Sequence, residues 1–305
     1  MEKRPEVTCN TPLRQAVEEY LSRGMTRAHI PGHKGQPYGL FGDVTRYDVT
    51  EVRGTDSLYE AREAIAACEA RFARMYGAAH TLLSAGGSTL CIQTMLALAA
   101  QRGEKILMGR NCHISAVNAA ALLGLTPEWI YPTRPALGGW AAMTGPEDVQ
   151  KALAQHPDAA AVYLTSPDYF GALADLEAIA RLCHRAGMPL LVDNAHGAHL
   201  AFLGEGLHPM AQGADLCCDS LHKNMPALTG AALLHLAGEE FFPAAKLRMS
   251  WFGSTSPSYL IMLSADALLG EEDRWRREFP RCAGRVGRLK ELAARCGFAL
   301  QQESC

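Results

Sequence analysis

The chain has 305 residues, 48% of them hydrophobic and 20% charged, proportions that suit a large folded core and argue against a disordered chain. A formal net charge of -3 supplies no overall basic field, which argues against nucleic acid or an anionic membrane as partner. The ten cysteines follow no repeated spacing and no apolar run approaches the length of a membrane span, so reduced thiols in a cytoplasmic protein are expected.

Thr11-Pro12 followed by Leu13, Val17 and Leu21 predicts a capped amphipathic helix ending near Gly24. The segment from His29 to Gly35 is too rich in glycine and proline for regular structure, and Asp48 to Asp56 is also irregular. Ser57 is expected to start a long helix, with Glu60 completing a capping box and Gly77 ending it. From Ala79 onward, apolar runs (His80 to Ser84, Lys105 to Met108, Trp129 to Tyr131, Ala160 to Thr165, Pro189 to Val192, Ala214 to Cys218) are separated by helical stretches or long crossovers. Runs apolar on both faces, joined this way, predict an α/β fold: a mostly parallel central sheet with helices on both faces. Ala231 to Leu236 follows too closely for a helical crossover and should lie antiparallel to its neighbour. Ser258 to Gly270 and Glu271 to Gly297 read as helices, the second interrupted at Pro280, and Phe298 to Ser304 reads as a first strand of something further.

Ligands of open parallel sheets bind beyond the carboxyl ends of the strands, so the polar residues there carry the functional reading. Ala85-Gly86-Gly87-Ser88-Thr89 offers free N–H groups, close-approach glycines and two hydroxyls at a helix start expected near Leu90, which suits a phosphate as well as a plain helix cap. His113 stands at a helix entrance, able to stack on a planar ring or simply to cap. Thr165 to Gly171 ends another strand in a tight turn. Asp193 closes a hydrophobic strand, as a helix cap or as a permanent negative charge for a ring nitrogen. Lys223, in Asp219-Ser-Leu-His-Lys-Asn-Met-Pro226, follows a strand on a turn and can offer an amine to a carbonyl. Pyridoxal phosphate has one feature for each of four of these groups: a phosphate for the glycine turn, a ring for His113, a ring nitrogen for Asp193 and an aldehyde for Lys223. His196 and His199, three apart with Asp193 before them, admit a rival metal reading, but no fourth ligand is placed and no metal is expected.

The chain resembles the Orn/Lys/Arg decarboxylase family, enzymes with the aspartate-aminotransferase-like fold (fold type I). The motifs, in family order, are Pro31-Gly-His-Lys-Gly35, Asp48-Val-Thr-Glu51 with Gly54-Thr-Asp-Ser-Leu58, Gly87-Ser-Thr89, Arg110-Asn-Cys-His113, Thr165-Ser-Pro167, Asp193-Asn-Ala-His-Gly-Ala-His199, Ser220-Leu-His-Lys223 and Gly253-Ser-Thr-Ser-Pro-Ser-Tyr259. The resemblance implies pyridoxal 5'-phosphate as cofactor and a basic amino acid (arginine, lysine or ornithine) as substrate, decarboxylated to its amine as in polyamine synthesis. Lys223 would bind the cofactor aldehyde, His113 would stack on its ring and Asp193 would pair with the ring nitrogen. Gly87, Ser88, Thr89, Ser220 and His222 would hold the phosphate, and His196 would sit against the cofactor. Ser254, Thr255 and Ser256 would reach the phosphate in the partner subunit of a homodimer with shared sites.

Many members carry glutamate at Asn194, lysine at Ile114 and threonine at Asn224. The expected organisation is an N-terminal helix and loop segment (1–56), a cofactor-binding large domain (57–270), and a linker helix with the truncated start of a small C-terminal domain (271–305). Asp168, Asp175 and Glu205 are candidate carboxylates for the substrate's distal cation. Two other readings stay open: a different reaction on the same cofactor, such as transamination or elimination, and a cofactor-binding remnant without turnover.

Overall fold

In a computed structural model, residues 10–133, 143–204 and 206–298 are described. In chain order the elements are α1 (Pro12–Ser22), α2 (Ala64–Tyr76), β1 (His80–Ser84), α3 (Gly87–Ala99), β2 (Lys105–Gly109), α4 (Ile114–Leu123), β3 (Thr126–Ile130), α5 (Pro146–Gln155), β4 (Val162–Thr165), α6 (Leu176–Arg185), β5 (Leu190–Asp193), β6 (Leu216–Ser220), α7 (Leu221–Asn224), β7 (Ala232–Leu236), α8 (Phe242–Ser250), α9 (Tyr259–Leu269) and α10 (Glu272–Arg295), with short 3-10 turns between some of them.

The strands form one sheet in the order β1-β7-β6-β5-β4-β2-β3. Neighbours from β3 to β6 pair parallel, whereas β7 is antiparallel to both β6 and β1, as its short connection requires. Strand alternation sends Leu82, Ile106, Met108, Tyr163, Leu191 and Leu216 to a core shared with α3, α4 and α8, the front face. The intervening residues go to the back face. There Leu83 and Leu233 pack with α1, α2 and α9, and Leu107, Val162, Leu164, Leu190 and Val192 pack with α5 and α6. Each fully buried aliphatic side chain contributes about 1.5–3 kcal/mol, so two apolar faces per strand account for a helix layer on each side. Among the described residues no helix is long and apolar enough to cross a membrane.

Three local expectations need correction. Helix α2 starts at Ala64 rather than Ser57, because the carboxylate of Asp56 takes the N–H groups of Ser57, Arg62, Glu63 and Ile65 at 2.9–3.1 Å and folds 57–63 into an irregular turn. The Ser57 hydroxyl instead donates to Glu51 at 3.0 Å. Helix α3 starts at Gly87, before Leu90. Helix α10 runs through Pro280 without a break. The proline forfeits one hydrogen bond within a long exposed helix that Trp275 and Phe279 anchor to the body. Beyond Phe298, the predicted strand lies outside the described residues.

Candidate functional site

The carboxyl ends of β1, β4, β5 and β6 and the start of α3 bring several of the expected residues together. After β1 the chain turns on Gly86 and Gly87. Gly87 has φ +68° with open space where a side chain would stand, and its N–H donates to the Gly230 carbonyl at 2.8 Å. The turn delivers Ser88 to the hydroxyl of Ser220, which donates to it at 2.9 Å. Thr89 is exposed in the same first turn. One helical turn past Ser220, Lys223 Nζ donates to Nε2 of His196 at 3.1 Å. Burial, with the Lys223 cation as second cause, lowers the His196 pKa and favours the neutral ring that accepts this bond. Tyr169 stands edge-on to His196, ring centroids 6.0 Å apart.

Asp193 ends β5 and is 2% exposed. Its oxygens accept from the Ala195 N–H at 3.1 Å, the Tyr163 hydroxyl at 3.3 Å and the Cys218 thiol at 3.5 Å, all neutral donors. Beside it in the register, the buried hydroxyl of Thr165 has no partner among the described residues. A buried carboxylate that pairs with no cation among the described residues, next to that hydroxyl, leaves polar capacity for a ligand.

Other expected residues stand apart. His113 caps α4, its Nδ1 accepting from the Ser115 N–H at 3.2 Å, and among the described residues no hydrogen bond or ring contact links it to the Lys223 group. His222 donates from Nδ1 to the Ala231 carbonyl at 3.1 Å. Ser254, Thr255 and Ser256 form an exposed loop closed by the Ser256 N–H on the Ser254 hydroxyl at 3.1 Å. The candidate carboxylates have structural partners: Asp168 accepts from the Phe170 and Ala172 N–H groups at 2.8 and 2.9 Å, and Asp175 caps α6 through the Ala178 N–H at 3.0 Å. Glu205 lies outside the described residues. The pair considered for a metal separates, His196 going to Lys223 and His199 to the ring of Phe279, 5.8 Å away.

A second polar group lies on the back face of the same strand ends, and the sequence reading passes over it. Asp219 is fully buried, its Oδ2 accepting from Nε2 of His208 at 3.0 Å and of His235 at 3.1 Å. Burial alone would raise its pKa, but the two imidazoles hold the carboxyl well below the usual range. His208, Cys217 and Asp219 have ligand atoms within 4.8 Å of one another, close enough to consider a metal. The Met210 N–H, however, donates to Nδ1 of His208 at 3.4 Å, which leaves the ring hydrogen on Nε2, aimed at Asp219. A metal-bound histidine donates from its second nitrogen, so the arrangement is that of a hydrogen-bonded hub. The signal was present in the alternation: Asp219 and Ser220 are consecutive strand residues and must point to opposite faces.

Comparison with known proteins adds a relationship to this geometry. A family model described as "Orn/Lys/Arg decarboxylase, major domain" matches residues 11–276. The chain is 34% identical over 267 residues to an arginine decarboxylase of Halalkalibacterium halodurans, covering 84% of this chain and 54% of the relative. To an arginine decarboxylase of Bacillus subtilis it is 32% identical over 266 residues, with the same coverage of 84% and 54%. It therefore spans about half the length of these relatives. Among solved structures, the Escherichia coli constitutive lysine decarboxylase superposes with a TM-score of 0.78 at 23% identity, covering 93% of this chain and 44% of that one. A serine palmitoyltransferase of Sphingomonas wittichii superposes with a TM-score of 0.66 at 15% identity, covering 97% and 67%, a likeness of fold.

Proposed function

Because the chain belongs to the Orn/Lys/Arg decarboxylase family, we propose that it decarboxylates a basic amino acid with pyridoxal 5'-phosphate as cofactor, arginine being the first substrate to test because the relatives named arginine decarboxylase reach 32–34% identity and those named lysine decarboxylase 25–26%. The observation that carries this reading is the convergence, on one face and at one end of the sheet, of the Ser88–Ser220 pair, Lys223 with His196, and the buried Asp193. These residues fit the group. A hydroxyl pair at a helix start suits a phosphate, and a buried carboxylate with only neutral donors suits a protonated ring nitrogen.

When bound, the cofactor supplies an electron sink for the charge left by loss of carbon dioxide. Ser88, Ser220 and the first-turn N–H groups of α3 would hold the phosphate, with Gly87 permitting the close approach and Thr89 in the same turn, and His222, whose Nδ1 is spent on the Ala231 carbonyl, would add to them through Nε2. Asp193 would keep the proton on the ring nitrogen, and His113 would cover the ring. His196 orients Lys223 by accepting from its Nζ. Lys223 would hold the aldehyde and, once the substrate amine has displaced it, would return a proton to the substrate Cα. The exposed loop Ser254-Thr255-Ser256 is assigned to the phosphate of a second copy in a cytoplasmic homodimer.

The test is to incubate the purified protein with pyridoxal phosphate and, in turn, arginine, lysine and ornithine, and to look for agmatine, cadaverine or putrescine by mass spectrometry. One amine is expected, lost in Lys223→Ala. Transfer of the amino group to a keto acid without carbon dioxide release would replace decarboxylation by another reaction, and cofactor binding without product from any of the three would leave a binding protein.

A further inference from the structure

Asn194 directly follows Asp193, so their side chains leave the sheet on opposite faces: Asp193 in front, Asn194 behind. Behind the sheet, Asn194 Nδ2 donates to Oδ1 of Asp219 at 2.6 Å, while His208 and His235 occupy Oδ2. His235 is held in turn by the Thr81 hydroxyl on Nδ1 at 2.8 Å. The ring of Tyr76 covers both imidazoles, with centroids 4.7 Å from His235 and 5.1 Å from His208. Asp219 thereby joins β1, β6, β7, the segment before β6 and the turn after β5. In front of the sheet, Asp193 is held among the described residues by the weaker set of bonds described above.

Resting on the reading of Asp193 as the partner of the cofactor ring, we propose that Asp219 is a positioning residue for that site: through Asn194 it locks the Asp193–His196 turn from behind. Its neighbour Ser220, pointing forward to Ser88, is fixed by the same strand end. One buried carboxylate then sets both the ring-nitrogen partner and the phosphate hydroxyl, without touching the ligand. Among the described residues the titratable groups that bear on it include His208, His235 and Tyr76 in contact, with His199, Cys217, Cys91 and Cys218 close by.

The experiment titrates pyridoxal phosphate into the wild type, Asn194→Ala, Asp219→Asn and Asp266→Ala, following cofactor absorbance across pH and measuring apo-protein melting in parallel. Asp266→Ala controls for lost stability, since Asp266 caps α1 away from the site. Asn194→Ala and Asp219→Asn are each expected to weaken cofactor affinity about tenfold and to move the pH midpoint of the absorbance change, as loss of a coupled buried hydrogen bond does. The control should melt lower with affinity and midpoint unchanged. If Asp219→Asn fails to fold, Asn194→Ala decides alone, because it cuts the link to the turn and leaves both imidazoles on Asp219. Wild-type affinity and midpoint in Asn194→Ala would overturn the inference. A wild type that takes no pyridoxal phosphate would instead overturn the reading beneath it.

Discussion

Gly197→Ala provides a test of how tightly this turn is built. Gly197 has φ -121° and ψ 15°, a conformation open to any residue, so the substitution probes space and not backbone freedom. A Cβ there would stand 2.0 Å from Oδ1 and 2.7 Å from Cγ of Asn194, and 2.7 Å from Cδ of Pro167. The proline ring has no rotamer to yield. The Asn194 amide must therefore move by more than an ångström, and its other end is committed to Asp219 at 2.6 Å. Overpacking costs about 1–3 kcal/mol, and a strained hydrogen bond to a charged group adds about 1.5 kcal/mol or more, so a loss of roughly 3 kcal/mol is expected. At about 2–4 °C per kcal/mol for chains of this order of size, that corresponds to a fall of roughly 6–12 °C in melting temperature. Urea and thermal unfolding of the two purified proteins measure it. A variant melting within a degree or two of wild type would show that the turn yields easily, and would remove the rigidity on which the placement of Asp193 and His196 depends.

Three further outcomes are expected. Lys246→Met leaves the buried carboxylate of Glu69 without its cation and should cost about 3–5 kcal/mol at neutral pH in urea unfolding. Burial already raises the Glu69 pKa above its ordinary 4.5, against the pull of Lys246. A raised carboxyl pKa means the folded state binds the proton more tightly, so the variant should regain stability as pH falls toward and through that raised value, and unfolding at pH 7.5 and 5 checks the sign. Asp266→Ala removes the carboxylate that caps Leu13 and Arg14 of α1 and should lower stability by about 1–2 kcal/mol, read from the urea midpoint. Ser220→Ala breaks the bond to Ser88 and, on the proposed function, should weaken pyridoxal phosphate binding roughly tenfold by absorbance titration while costing about 1 kcal/mol of stability.

The sheet is legible in the sequence where apolar residues fill both faces: β1 spans His80 to Ser84 as its hydrophobic run predicts. Its ends are read less well wherever a polar residue is buried. Hydrophobicity places the last of the parallel strands at Ala214 to Cys218, yet β6 is Leu216–Ser220, because Asp219 and Ser220 find partners on opposite faces and stay extended. Helix starts depend on partners that local capping rules do not include. Asp56 folds up the segment that local capping rules give to a helix, and Asp266 caps α1 from across 252 residues. The convergence of Ser88 with Ser220 and of His196 with Lys223 is what the ordered motifs imply, whereas His208 and His235 belong to stretches that carry no ligand-like spacing and meet only through the fold.

The period of two along a strand explains why chemistry and its support are interleaved in sequence here. At the end of β6, Asp219 faces back and Ser220 forward; at the end of β5, Asp193 faces forward and Asn194 back. A forward residue is free for a ligand only if its backbone is held elsewhere, since each hydrogen bond it spends inside the chain is one it cannot offer. The backward neighbours meet that need: Asn194 and Asp219 bond each other where water and ligand have no access. A polar residue next to a candidate site residue at a strand end is then not redundant with it. It lies on the other face, where its buried partner can hold the strand end in place for the residue in front.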